Sequence, residues 1–149
     1  NSNILTRTDF ENIKINTKTL KEIKSTKGLL TGVKNLFGEP SSKIIYPRED
    51  SKFVYSGFTL AFSSIDATNG ILELSNIDIK SNQTNLIIKG TSVTIGDNIS
   101  KLGSVNINNR TDRYKSIIYR ACKGCNDYIA IVFYPTTGVI KEIYFLSPT

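Results

Sequence analysis

"LLTGVKNLFGEPSSKIIYP", residues 29–47, changes its hydrophobic period halfway along. Over 29–41, Leu29, Leu30, Val33, Leu36 and Phe37 recur at spacings of three and four, which builds one apolar helix face. Gly38 suits the position just past a helix C-terminus, and Pro40 blocks any continuation. From Ser42 the period drops to two. "SKIIYP" (42–47), "KFVYSGFTLAFS" (52–63) and "GILELSNIDIKS" (70–81) therefore read as strands, with Asn69-Gly70 as a strong turn signal. "REDSK" (48–52) between them reads as a charged, solvated turn. Helix first and antiparallel strands after predicts an α+β fold, with short helices packed on antiparallel sheet.

Working outward from this stretch, residues 1–11 are polar and read as a flexible lead-in. "NIKI" (12–15) alternates like a short strand. Thr17 fits a helix N-cap, with Leu20 and Ile23 on one face of the helix that follows. "TNLIIKG" (84–90) is one more strand or a connector. After it the order repeats: a short strand at Val93 to Ile95, Asp97 as N-cap of a short helix closed by Gly103, then strands at 114–121, 127–135 and 138–146. The reading is two tandem helix-sheet units, 12–90 and 91–149, within one compact domain. A single irregular α+β domain is the alternative.

"LLTGVKNLFGEPS", through Val33, Leu36, Gly38 and Pro40, resembles the helix-to-strand junction of the outer-membrane assembly lipoproteins BamE or SmpA. "VTIGDNISKLGSV" (93–105) resembles the opening of the same kind of unit. Two such units in tandem resemble the β-lactamase inhibitor protein fold. The second unit lacks the Gly-x-Pro ending. The resemblance implies a protein-binding surface made from the sheets, without catalysis, and singles out no contact residues.

The chemistry-bearing residues are few. There is no His, which removes Ser-His-Asp and Cys-His catalysis and histidine metal sites. Neither phosphate-binding glycine motif occurs. No spacing of the 13 carboxylates predicts a facing acid pair. The reading is therefore not an enzyme, with no cofactor and no metal. The net charge of +6 is spread along the chain, without the arginines and interleaved aromatics of a nucleic-acid face, so nucleic acid is not the expected partner. The abundance of Asn, Ile, Lys and Ser matches an AT-rich bacterial genome.

Cys122 and Cys125 lie between two strands, where a turn supplies no helix dipole to activate a thiol. A disulfide clip, two free thiols and a redox pair are all open readings, and a disulfide fits an exported protein. The seven tyrosines sit mostly on strands. Tyr46, Tyr55, Tyr119 and Tyr128, with Lys123 at the cysteine turn, are the candidate protein-binding residues. The chain opens "NSN" without Met, which reads either as a mature chain that follows a signal-peptide cleavage site or an acylated lipoprotein cysteine, or as a plain truncation. The functional expectation is a protein-binding module of the bacterial cell envelope, periplasmic or anchored to the outer membrane. Its most concrete form is an inhibitor or immunity protein for an enzyme or toxin with an acidic surface. An outer-membrane lipoprotein scaffold, touching the membrane only through its anchor, and a minor thiol-disulfide protein are the alternatives.

Overall fold

The computed structural model describes residues 3–46 and 49–148. Asn1, Ser2, Pro47, Arg48 and Thr149, and with them part of the expected lead-in and of the 48–52 turn, lie outside the described residues. Strands dominate: 42% of the described residues are strand and 16% helix. The expected tandem α+β arrangement is therefore corrected to a mostly β architecture, a nine-stranded sheet with a four-stranded sheet beside it.

In chain order the elements are β1 (Asn3–Ile4), α1 (Arg7–Glu11), β2 (Lys14–Ile15), β3 (Lys18–Thr19), α2 (Leu20–Ser25), α3 (Leu30–Phe37), β4 (Ser42–Ile45), β5 (Ser51–Val54), β6 (Phe58–Asp66), β7 (Ile71–Ile79), β8 (Leu86–Ile88), β9 (Thr91–Val93), a 3-10 turn (Ile99–Leu102), β10 (Asn108–Asn109), β11 (Lys115–Arg120), β12 (Tyr128–Phe133) and β13 (Ile140–Leu146). The large sheet runs β1-β11-β12-β13-β7-β6-β5-β4, with β10 also on β11. Among the described residues, only the β1–β11 pair of the large sheet is parallel. The small sheet runs β3-β2-β8-β9.

The reason two units become one sheet is the pairing of β13 with β7. Ile143 lies opposite Ile79 and Phe145 opposite Ile77, so residues from both halves of the chain form one ladder. Alternate residues of the large sheet then share one buried face: Phe53, Leu60, Phe62, Leu74, Ile77, Ile129, Ile131, Ile143 and Phe145. The helices and the small sheet cover that face. Ile15 and Leu86 meet Ile77, Ile79, Ile129, Ile143 and Phe145, Phe10 of α1 lies 6.4 Å from Phe145, and Phe37 of α3 lies 4.9 Å from Phe58. Residues 3–11 belong to the fold rather than leading into it: Asn3–Ile4 pair with β11 in the large sheet, and α1 joins the covering layer. Phe10 is fully buried, and Thr6 caps α1 by accepting from the Asp9 N–H at 3.0 Å.

Candidate functional site

β12 reads "YIAIVF". Ile129, Ile131 and Phe133 point into the core, so Tyr128, Ala130 and Val132 point to the other side, which Tyr134 continues beyond the strand. Register brings matching residues alongside. On β11, Arg120 lies opposite Tyr128 and Ser116 opposite Val132. On β13, Leu146 lies opposite Tyr128 and Tyr144 opposite Ala130. A shift in register between Val132 and Phe133 leaves Lys141 as an extra residue on β13, a re-aiming device common at binding surfaces.

The outcome is an aromatic and cationic patch on the sheet face away from the helices. Tyr128 and Tyr144 meet edge to face with centroids 6.2 Å apart, and Tyr114 and Tyr134 do the same at 5.6 Å. The Arg120 guanidinium sits 4.7 Å over the Tyr128 ring, Lys141 4.7 Å over the Tyr114 ring, and Arg113 5.5 Å from that same ring. Arg110 donates to both carboxylate oxygens of Asp112 at 3.2 Å, and Tyr144 is near enough to favour its charged form. Ala130 and Val132, on the same face of β12 between Tyr128 and Tyr134, are buried.

These side chains hold one another in place. Asp112 and then Tyr144 keep Arg110 more firmly protonated, and Arg110 holds the Asp112 carboxyl below the usual carboxylate range. Burial, then the neighbouring Tyr144, pushes the Tyr128 hydroxyl above its ordinary value. Cys122 and Cys125 form a disulfide, with Cα atoms 5.3 Å apart, across the tip joining β11 to β12. The tip fixes the Cys125 carbonyl, which accepts from Arg120 Nη1 at 2.7 Å. A connected line thus runs from the disulfide through Arg120, Tyr128, Tyr144 and Arg110 to Asp112. Such mutual packing lowers the entropy lost when a partner arrives.

On the helix side the tip is anchored by charge. Arg7 reaches Asp127 at 3.4 Å and Glu11 at 3.3 Å, while Lys24 reaches Glu11 at 3.0 Å and Asp127 at 3.4 Å. Arg7 Nη2 also lies 3.4 Å from Cys125 Sγ. A groove of about 640 Å³ between α1 and α2 is lined by Arg7, Glu11, Lys21, Lys24 and Lys27, and two of its four cations are spent on these carboxylates. Among the described residues, no three His, Cys, Asp or Glu side chains converge as a metal site requires.

Of the residues singled out from the sequence, Tyr128 lies in the patch, and Lys123 is exposed beside the disulfide. Tyr119 does not join them: it lies opposite Ile129 on the core face and is 5% exposed. Tyr55 belongs to the packing of α3, its hydroxyl donating to the Gly38 carbonyl at 2.8 Å and its ring stacked on Phe58 at 4.9 Å. Tyr46 is exposed just past β4, and four strands, β5, β6, β7 and β13, separate β4 from β12. Sequence reasoning missed Tyr114, Tyr134, Tyr144, Arg110, Arg113, Arg120 and Lys141. A usable signal was the Tyr128, Ala130, Val132, Tyr134 alternation, which sets two tyrosines on one face. Comparison with protein families, with curated proteins and with solved structures finds no match to this chain.

Proposed function

We propose that this chain is a non-enzymatic protein-binding module of the bacterial cell envelope, an inhibitor or immunity protein that lays the β11–β13 face against an acidic surface of an enzyme. The observation that carries the reading is the concentration of four tyrosines and four cations on that one face. Tyr and Arg are the residues on which protein interfaces concentrate their energy, because they cover area with few rotors to freeze. The cations outnumber the nearby acids Asp112 and Glu142, and the whole chain carries +6, so the complementary surface is acidic. A nucleic acid would need free ring faces on which bases stack. Here Arg120 lies over Tyr128, and Lys141 and Arg113 lie against Tyr114. What the patch offers is ring edges, hydroxyls and guanidinium groups, which suit carboxylates and backbone carbonyls. The disulfide supports the location, since such bonds persist in oxidising compartments.

The test is capture with variants. The immobilised chain is exposed to envelope and secreted extract at moderate salt, beside Tyr128→Ala and Arg120→Glu forms checked for unchanged circular dichroism. One stoichiometric enzyme is expected on the parent chain, with its activity inhibited, and each variant should lose roughly 2 kcal/mol of binding, about thirtyfold. Capture unchanged by both substitutions would overturn the face assignment. Hydrolytic or redox turnover by the pure chain would overturn the non-enzymatic reading. A retained set of outer-membrane proteins in place of one enzyme would turn the reading to a scaffold.

A further inference from the structure

The large sheet ends differently on its two sides. Along one end the outer edge of β11 is occupied, by β1 at Tyr119 and Arg120 and by β10 at Lys115 and Ser116. At the other end β4 is the last strand. All four of its residues are exposed, and Ile44, Ile45 and the following Tyr46 are 50%, 42% and 56% exposed. Folded proteins blunt such edges with bulges, charge or a cover. β4 runs against β5 in regular register, and its one charge, Lys43, is engaged by Glu39 at 3.2 Å.

The free backbone groups can be assigned. Residues of an antiparallel strand alternate between bonding one neighbour and bonding the other. The Tyr46 N–H turns inward, to the Asp50 carbonyl at 3.0 Å. Ile44 and Ser42, in step with it, also serve β5. Lys43 and Ile45 therefore aim N–H and C=O outward, where no described strand meets them.

We infer that β4 pairs with the β4 strand of a second copy of this chain, antiparallel about a twofold axis through Ile44. The register follows from those four groups. Lys43 of one copy stands opposite Ile45 of the other, and each pair exchanges two hydrogen bonds. Four bonds then use every outward group of both strands. Ile44 meets its own mate in the close, non-hydrogen-bonded position, and Ser42 faces Tyr46. The helix layers of both copies fall on the same side. A twofold axis through Ile45 would call on Pro47, which has no N–H to give. Parallel pairing of the same edge has no twofold that sets N–H against C=O, so it gives no symmetric dimer. Charge is compatible as well: each Lys43 faces an isoleucine and keeps its own Glu39, so no like charges stand opposed.

Sedimentation velocity from low to high micromolar concentration tests this, with hydrogen exchange read at the Ile45 amide. The parent chain dimerises, and its Ile45 amide is protected more strongly as concentration rises. Ile44→Lys sets two ammonium groups face to face at the axis and abolishes the dimer. Ile45→Pro removes an outward donor, a substitution edge strands tolerate, and abolishes it too. A parent chain that stays monomeric throughout overturns the inference. So does a dimer that survives both substitutions, or an Ile45 amide whose exchange ignores concentration, a result that stands even if a variant misfolds. The edge lies away from the tyrosine patch, so Ile44→Lys leaves enzyme capture intact.

Discussion

Gly28 is a single position at which local backbone and distant packing impose the same residue. It follows α2 with φ at +74°, in the left-handed region that costs other residues about 1–2 kcal/mol. A Cβ there would lie 2.9 Å from Phe62 Cγ and 2.9 Å from Ser51 Oγ, both buried. Ser51 in turn donates to the Gly28 carbonyl at 3.4 Å. Gly28→Ala should therefore destabilise by roughly 2–4 kcal/mol, strain and overpacking together, read as a lower denaturant midpoint at unchanged slope. A midpoint within experimental error of the parent would show that Phe62 yields freely. The glycine's role as a helix stop was legible from "KG"; its seat against Phe62 was not, because that contact depends on which way β6 faces. The tyrosines teach the same limit. Ala130 and Val132 are as buried as Ile129 and Ile131, so both faces of β12 read as apolar and alternation alone could not say that Tyr119 points inward and Tyr144 outward.

Element types survived better than element boundaries. The helix predicted over 29–41 is α3, Leu30–Phe37, stopped at Gly38 with φ +80°. The strand predicted over 52–63 is two, β5 and β6, because Tyr55, Ser56 and Gly57 turn the chain. A Cβ on Gly57 would run into Thr84 Oγ1, a constraint from a segment the local pattern cannot see. The N-cap expected at Thr17 is at Thr19 instead. Residues 14–19 form the β2–β3 hairpin, with Asn16 at φ +57°, and this displaces the helix start by two residues. Thr19 and Glu22 then close a capping box: the Glu22 N–H donates to Thr19 Oγ1 at 3.0 Å, and the Thr19 N–H donates to Glu22 Oε1 at 3.0 Å. Thr19→Ala should cost about 1 kcal/mol. The Thr19 backbone N–H is the chief cause that lowers the Glu22 pKa. A lowered folded value means the unfolded state binds the proton more tightly. The carboxylate's contribution is thus complete above the ordinary glutamate value of about 4.3 and is lost as pH falls through the lower, folded value. Thermal melts between acid and neutral pH check both: Glu22→Gln should flatten part of the acid loss, and an unchanged acid slope would remove Glu22 from the account.

At the scale of the molecule, the period-two pattern revealed most of the strands but not which strands meet. A helix-then-strands order repeated along the chain suggested two units and left open whether they share one sheet. The pairing of β7 with β13 joins residues 76–79 to residues 143–146, and no local signal encodes a partner that far along the chain. The consequence can be tested by cutting. A fragment of residues 1–90 keeps β4 to β7 and all three helices, so a tandem organisation would let it fold. In the structure it would lose the ladder along β7 and the ring of Phe145 beside Phe10. Ile15 and Leu86 would lose Ile129, Ile143 and Phe145, against which they pack. An uncovered hydrophobic face and a second open edge would both result. The fragment is expected to show no cooperative thermal transition and no dispersed amide spectrum. Adding residues 91–149 in trans should restore both, because the missing strands supply the same ladder and the same core. A fragment that melts cooperatively by itself would mean the first half carries its own core, and the single-sheet account of stability would have to give way.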